Sequence, residues 1–403
     1  MHIDLNRQKI YNSHGYFLCA DIKSALFCNN EVFLLSNLPF DLEKICNMFS
    51  LNGTFTGYEK INNGHVNSTF TLFFEENDNV AKYVLQKVNT EAFKNPEGLM
   101  SNIVAVTSHI RKKNEEMNIP WADRGTLTFL PCKDGKYFFI DEKNQCWRMY
   151  KFIDDVYTCN SIDDEQVFCN AGIAFGEFQK LLADFDGSTL FETIEKFHNT
   201  VSRFENLKKA IEENRSGRLN NVKDEIEFAL GYEDETHVLV DLIDQGKLPL
   251  RVTHNDTKLN NILFDNVTNK GICIIDLDTV MPGLSLYDFG DSIRFGANTA
   301  AEDEKDLSNV TLSLPLYEAY VKGYLGSAKE ALTDLEKELL PMGAKMMTYE
   351  CGIRFLTDYL NGDIYFHINY PEHNLDRCRT QFELVKDMER KWTEMQEITK
   401  KYS

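Results

Sequence analysis

The segment VTHNDTKLNNILFDNVTNKGICIIDLDTV, residues 252–280, gathers side chains that can do chemistry together. His254, Asp256, Lys258 and Asn261 fall within eight residues, and the apolar run GICIID ends on a second carboxylate, Asp276. An aspartate on a tight loop can take the proton of an acceptor hydroxyl and orient its oxygen. A lysine two residues on can reach a group in transit. An asparagine together with an aspartate from the next strand offers hard oxygen ligands for Mg²⁺. The order and spacing point to in-line phosphoryl transfer from ATP, with Asp256 and Lys258 catalytic and Asn261 and Asp276 on the metal.

Residues 288–290 spell Asp-Phe-Gly, the magnesium-binding tripeptide of protein kinases. No apolar strand leads into Asp288, and a Pro282-Gly283 turn separates it from the strand that does end in a carboxylate. ILFD, a polar turn and GICIID read as a β-hairpin that returns Asp276 to the loop at 254–261. Asp276 is therefore the expected metal ligand, with Asp278 as a helper. Asp288 is expected to cap a helix at DSIRF or to brace the loop.

Elements on both sides must position this set. TFTGYEKINNGHVNSTFTLFFEE and KYVLQKVN alternate as strands do, and NDN between them reads as a turn. A helix is expected over 96–117, opened by Pro96, with Leu99, Ile103, Val106 and Ile110 on one side. TLTFLPC, KYFFID and CWRMYKFID read as further strands, with KDGK as a hairpin turn. From about 163 the pattern is helical: Val167, Ala171, Ala174, Phe178, Leu181 and Phe185 form one stripe. Leu375 through Met395 forms another, expected to be the last helix. The class is α+β and bilobal, with an extension over 1–44, a β-rich N-lobe over 45–152 and an α-rich C-lobe over 153–403.

The 403 residues suffice for two cores. With 43 basic against 63 acidic side chains the net charge is −20, and no basic run offers a nucleic-acid patch. The acidity would also suit a cationic substrate. None of the ten cysteines forms C-x-x-C, so buried reduced thiols of a cytoplasmic protein are expected. There is no signal-like start and no long apolar run, so no membrane partner is expected. We expect a monomer.

H-N-D-T-K-L-N-N has the form of the kinase catalytic loop H-R-D-x-K-x-x-N. The whole segment resembles the aminoglycoside phosphotransferase and choline kinase group of small-molecule kinases, a protein-kinase-like fold. It is similar in particular to the N-acetylhexosamine 1-kinase branch. That likeness extends to YVLQKVNTEAFKNPEGLMSNI, FHNTVSRF, IRFLTDYLNGDIYF and NLDRCRTQFELVKDMERKW, and covers roughly 45–395. It implies ATP- and Mg²⁺-dependent phosphorylation of the C1 hydroxyl of N-acetylglucosamine or N-acetylgalactosamine. It also implies Arg354 and Tyr365 as sugar contacts, beside the base Asp256.

The N-terminal loop departs from the G-x-G-x-x-G of protein kinases, although Gly64, Asn67 and Ser68 can offer backbone N–H groups to phosphates. The strand position expected to contact phosphate is Gln86, or Lys87 in another register, with Glu97 as a candidate partner. Met149–Ile153 is the expected hinge, where Tyr150 and Phe152 would flank adenine. Three other readings remain: a kinase of aminoglycosides, choline or another cation; a protein kinase; and a catalytically inactive kinase-shaped binding protein. The protein kinase lacks support, since no Ala-Pro-Glu segment or long activation loop is present.

Overall fold

The computed structural model describes residues 40–61, 67–77, 79–159, 162 and 164–403. Gly64 and residues 1–39 of the expected extension lie outside the described residues. The chain then builds α1 (Leu42–Cys46), β1 (Thr54–Ile61), β2 (Ser68–Glu76), β3 (Asn79–Val88), α2 (Pro96–Glu116), β4 (Phe139–Ile140) and β5 (Cys146–Lys151). The five strands form one antiparallel sheet in the order β1-β2-β3-β5-β4. Period-2 alternation sends Phe70, Leu72, Phe74, Tyr83, Leu85, Trp147 and Met149 to one face, where α1 closes the core with Leu42 and Ile45. Thr69, Gln86 and Arg148 share the other face, with Gln86 directly opposite Arg148.

Helix α2 falls where it was expected. Asn95 accepts the N–H of Gly98 at 2.9 Å and Pro96 sits in the first turn, so the sequence sets its start. Leu99, Ile103, Val106 and Ile110 are its buried residues. The Asn102 amide donates to the carbonyls of Phe191 (2.7 Å) and Val280 (2.9 Å), which ties the helix to the C-lobe.

TLTFLPC differs from expectation: it makes only isolated bridges, Phe129 to Tyr150 and Cys132 to Phe49. Pro131 lacks an N–H, and its carbonyl is taken by Ser50, so a ladder cannot run through it. The KDGK turn is present, with Gly135 at φ +87°.

The C-lobe begins with β6 (Val156–Tyr157), α3 (Glu165–Leu181), α4 (Thr200–Glu213), α5 (Lys223–Leu230) and α6 (Glu233–Asp244). Next come β7 (Arg251–Thr253), β8 (Ile262–Asp265), β9 (Gly271–Ile274) and β10 (Met281–Gly283). β8 and β9 are the expected hairpin, and β10 pairs back onto β7. The loop at 254–261 and the turn at 275–280 therefore lie side by side. Helices α7 (Ser285–Gly296), α8 (Leu314–Ala328), α9 (Asp334–Glu338), α10 (Leu340–Asn361), α11 (His373–Arg390) and α12 (Trp392–Tyr402) complete the lobe. The expected single last helix is two. Lys391 interrupts it, its ammonium held by Asp387 (2.7 Å), the Leu312 carbonyl (2.7 Å) and the Thr311 hydroxyl (2.6 Å).

Candidate active site

The backbone at 254–257 is fixed from below by two carboxylates of α7. Asp288 accepts the N–H of Asn255 (2.7 Å) and of His254 (2.9 Å), and the side-chain amide of Gln179 (2.9 Å). Asp291 accepts the N–H of Thr257 at 2.9 Å and is paired with Arg294 at 2.9 Å. Burial pushes the Asp288 carboxyl up, and His254 with the N–H donors pulls it part of the way back. Burial also works against the Asp291 charge, but Arg294 and Lys258 outweigh it and hold that carboxyl low. Such anchoring is needed because Asn255 stands at φ +64°, a left-handed conformation that asparagine tolerates better than most residues.

Each residue of the literal Asp-Phe-Gly has a structural task. Asp288 braces the loop and makes no helix cap. Phe289 packs edge-on against Tyr317, Tyr320 and Tyr324. Gly290 lets α7 approach α10, since a Cβ there would overlap the Gly343 carbonyl.

The working groups meet above this base. Lys258 Nζ is 3.0 Å from Asp256 Oδ1, and Asp256 is the main cause of its raised pKa, so the lysine stays charged. The Asn261 amide donates to the Asp256 carbonyl (2.8 Å) and to Oδ2 (3.2 Å). His254 Nδ1 accepts the Asp256 N–H at 3.3 Å while Nε2 bonds the Ile275 carbonyl at 2.9 Å, which fixes the ring with its proton on Nε2. Ile275 N in turn donates to the Asn261 carbonyl at 2.9 Å.

Asp276 therefore arrives next to the loop, as the hairpin required. It stands at φ +59°, and its side chain opens into the cleft with no hydrogen-bond partner among the described residues. The surrounding protein, with Asp278 and Asp256 nearby, pushes its carboxyl up to about 6. A divalent cation would relieve that crowding. Asn261 spends its amide hydrogens on Asp256, which leaves its oxygen available. Among the described residues no group of three or more His, Cys, Asp or Glu side chains is arranged to hold a metal. One amide and one carboxylate nonetheless suit Mg²⁺, which completes its shell with water and phosphate oxygens. Asp278 is no helper ligand: it is buried, with one oxygen on Arg148 and the other on the Asn67 amide at 2.7 Å.

On the N-lobe side Gln86 faces this cluster. Its oxygen accepts from Arg148 Nε (2.9 Å) and Nη2 (2.8 Å), and its amide donates to Thr69 at 3.2 Å. Lys87 projects from the opposite face. Glu97 is exposed and is no partner for a strand cation; Met100 of the same helix is the residue that meets Arg148. The Asn67 side chain is committed to Asp278 and to the Asn89 N–H, while Ser68 opens β2 opposite Lys87. At the hinge Tyr150 packs on Phe129 and Phe152 lies under Lys82. The N–H groups of Lys151 and Phe152 are spent on Thr128 and Lys82, so a nucleotide base must use other backbone groups there.

Arg354 and Tyr365 line one pocket of about 320 Å³ between α4, α10 and the turn that follows α10. The Arg354 guanidinium lies over the rings of Phe197 (5.2 Å) and Phe366 (5.6 Å) and has no hydrogen-bond or ion-pair partner among the described residues. Tyr365 is 66% exposed. Its turn is shaped by Asp358, which accepts the N–H groups of Ile364, Tyr365 and Phe366 at 2.9–3.0 Å. The pocket is wired to the catalytic loop. His198 Nδ1 is 2.8 Å from the buried Glu350, one turn before Arg354, and Nε2 is 3.2 Å from the Asn255 carbonyl. Burial works against the Glu350 charge, but His198, Arg354 and Arg203 hold its carboxyl below the usual range.

Arg148, His198 and Glu350 were not singled out from the sequence. Each had a signal: an arginine inside the apolar strand CWRMYKFI, a glutamate inside the apolar run MMTYECGI, and a histidine in FHNT. A charge in an apolar run asks for a buried partner.

This geometry has counterparts. Residues 161–331 match the phosphotransferase enzyme family, APH. Three solved structures share the fold over most of their length. A microcompartment-associated aminopropanol kinase has 13% identity and a TM-score of 0.58, covering 88% of this chain and 98% of its own. An aminoglycoside phosphotransferase from Alicyclobacillus acidocaldarius has 9% and 0.57, covering 91% and 98%. An amicoumacin kinase in complex with AMP-PNP and Ca²⁺ has 12% and 0.54, covering 90% and 96%. The chain thus has the kinase-like APH fold, a β-sheet N-terminal region on a helical C-terminal region. The family match supports a phosphotransferase of small molecules.

Proposed function

We propose that the protein is an ATP- and Mg²⁺-dependent kinase that phosphorylates the C1 hydroxyl of N-acetylhexosamines. The observation that carries the acceptor class is the charge of the Arg354 pocket. Arg354 is unpaired there, and Arg203 faces it with hydrogen bonds only to the Phe197 carbonyl. The acidic side chains present are already engaged: Glu213 by Arg215 at 2.8 Å, and Asp358 by backbone N–H groups and Asn374. Such a pocket repels an ammonium and welcomes ring, hydroxyl and acetamido oxygens, with Tyr365 to pack on a sugar face.

In this reading Asp256 takes the proton of the C1 hydroxyl as its oxygen bonds to the γ-phosphorus and the bond to the ADP oxygen breaks. Lys258 orients Asp256 and neutralises charge beside the group in transit. Asn261 and Asp276 would hold Mg²⁺, which offsets the charge that develops on the phosphate oxygens. Asn67 and Ser68 would border the phosphates, and Tyr150 and Phe152 the base. The buried unpaired thiols support a reducing, cytoplasmic setting; burial pushes that of Cys273 up to about 12. No helix of the described residues is long and apolar enough to cross a membrane. We read the protein as a monomer without nucleic-acid partners.

A cationic acceptor is the second reading. The net charge of −20 and the fold likeness to an aminopropanol kinase favour it. A panel of N-acetylhexosamines, hexoses, amino alcohols and aminoglycosides, followed by ADP release and phosphorus NMR, separates the two. The expected product is an acid-labile phosphate on C1 of an N-acetylhexosamine. Turnover on amines with none on these sugars would overturn the acceptor assignment.

A further inference from the structure

We propose that Arg148 is a positioning residue for phosphoryl transfer: a buried guanidinium that clamps the N-lobe sheet to the turn carrying Asp276. The inference rests on the phosphotransfer reading, though not on the identity of the acceptor.

Arg148 is 2% exposed, in the middle of an otherwise apolar strand. Removing a full charge from water is costly unless other groups repay it, so its partners matter. It has two. On one side Nε and Nη2 grip the Gln86 oxygen across the β3–β5 ladder. On the other Nη1 bonds Asp278 Oδ1. The planar fork lets one residue hold both, which a lysine cannot do.

Asp278 lies two residues beyond Asp276, in the 3₁₀ turn Leu277–Thr279. Fixing its carboxylate fixes that turn. The turn needs fixing, because Asp276 sits at φ +59°, in the left-handed region that side-chain-bearing residues adopt only at a cost. The next residue, Thr279, bonds the catalytic loop in both directions: its hydroxyl donates to the His254 carbonyl (2.6 Å) and its carbonyl accepts from the Asn255 amide (2.9 Å). Asn67, at the start of β2, grips the other Asp278 oxygen. The direction of the metal-side carboxylate is thus set from the N-lobe through one buried ion pair. The strand cation sought at Gln86 or Lys87 has its counterpart one strand over, at Arg148.

The test compares full-length wild type with Arg148→Gln and Arg148→Lys. Mg²⁺–AMP-PNP binding is measured by calorimetry, KM for ATP and for acceptor by kinetics, and folding by thermal unfolding. Removing a group that orients a metal ligand typically lowers affinity or activity about 10–100-fold. Arg148→Gln is expected to weaken Mg²⁺–AMP-PNP and raise the KM for ATP by that amount, with acceptor KM unchanged. Arg148→Lys keeps the charge and the apolar stem but loses the fork, and is expected to lose roughly tenfold. It decides the matter if the glutamine variant does not fold. Wild-type nucleotide binding in folded Arg148→Lys would overturn the proposal, as would an equal rise in both KM values. A wild-type protein that binds no Mg²⁺–AMP-PNP would overturn the phosphotransfer reading with it. Nucleotide binding without hexosamine turnover overturns the acceptor assignment alone.

Discussion

The loop at 254–261 and the Arg354 pocket lie on either side of His198, and they hold their side chains by opposite means. Beneath the loop the polar groups are buried and matched: Asp288, Asp291, Thr257 and Asn255 are spent on one another and on backbone, while Asn260 Oδ1 within the loop has no partner among the described residues. In the pocket Arg354 has rings beneath it and no polar partner, and Tyr365 stands in solvent. The first arrangement is finished before any ligand arrives, as electrostatic preorganisation demands. The second leaves donors for a ligand to satisfy, which is how a site discriminates among hydroxylated molecules. On the proposed reading the difference teaches where binding energy resides: transfer geometry is built into the fold, and acceptor choice is left to side chains awaiting a partner.

Four substitutions can break or sharpen this contrast. The largest effect is expected for Asp256→Asn. It keeps the shape of the loop but removes the proton acceptor, so kcat should fall about 10³-fold with unfolding temperature and nucleotide affinity unchanged. A loss below tenfold would remove Asp256 from that role. Asp288→Asn puts an amide donor opposite one of the two N–H groups, that of His254 or that of Asn255. It should cost about 2–3 kcal/mol in urea unfolding, and kcat should fall with it. Unaltered stability would mean that the buried carboxylate is not what holds the loop. Arg354→Ala should leave stability within about 0.5 kcal/mol, since it breaks no hydrogen bond. It should raise acceptor KM by roughly 10–100-fold, while Tyr365→Ala gives a smaller rise of about 2–10-fold. If Arg354→Ala changed the KM for ATP instead, the pocket would not be the acceptor site.

What could be read from the sequence follows the same division. His254, Asp256, Lys258 and Asn261 are legible because a short loop fixes their distances by covalent spacing alone. Asp276 is legible because a hairpin is the one short route back, and α2 because its cap and stripe agree. Arg148 escaped because its meeting with Gln86 depends on the register between two strands separated by α2. His198 and Glu350 escaped because they are 152 positions apart in the chain. The break at Lys391 is invisible to periodicity, since the apolar stripe runs through it and the interruption comes from Thr311 and Leu312 on another segment.

Glu350 and Arg354 stand one turn apart on α10, the first tied through His198 to the loop at 254–261 and the second lining the pocket proposed for the acceptor. For anyone wishing to retarget the enzyme this placement matters. Recutting the helix at the Glu350 end disturbs the mounting of the loop itself. Thr357 and Asn361, farther along the same helix and also on the pocket wall, are the positions where new preferences can be tried without that penalty.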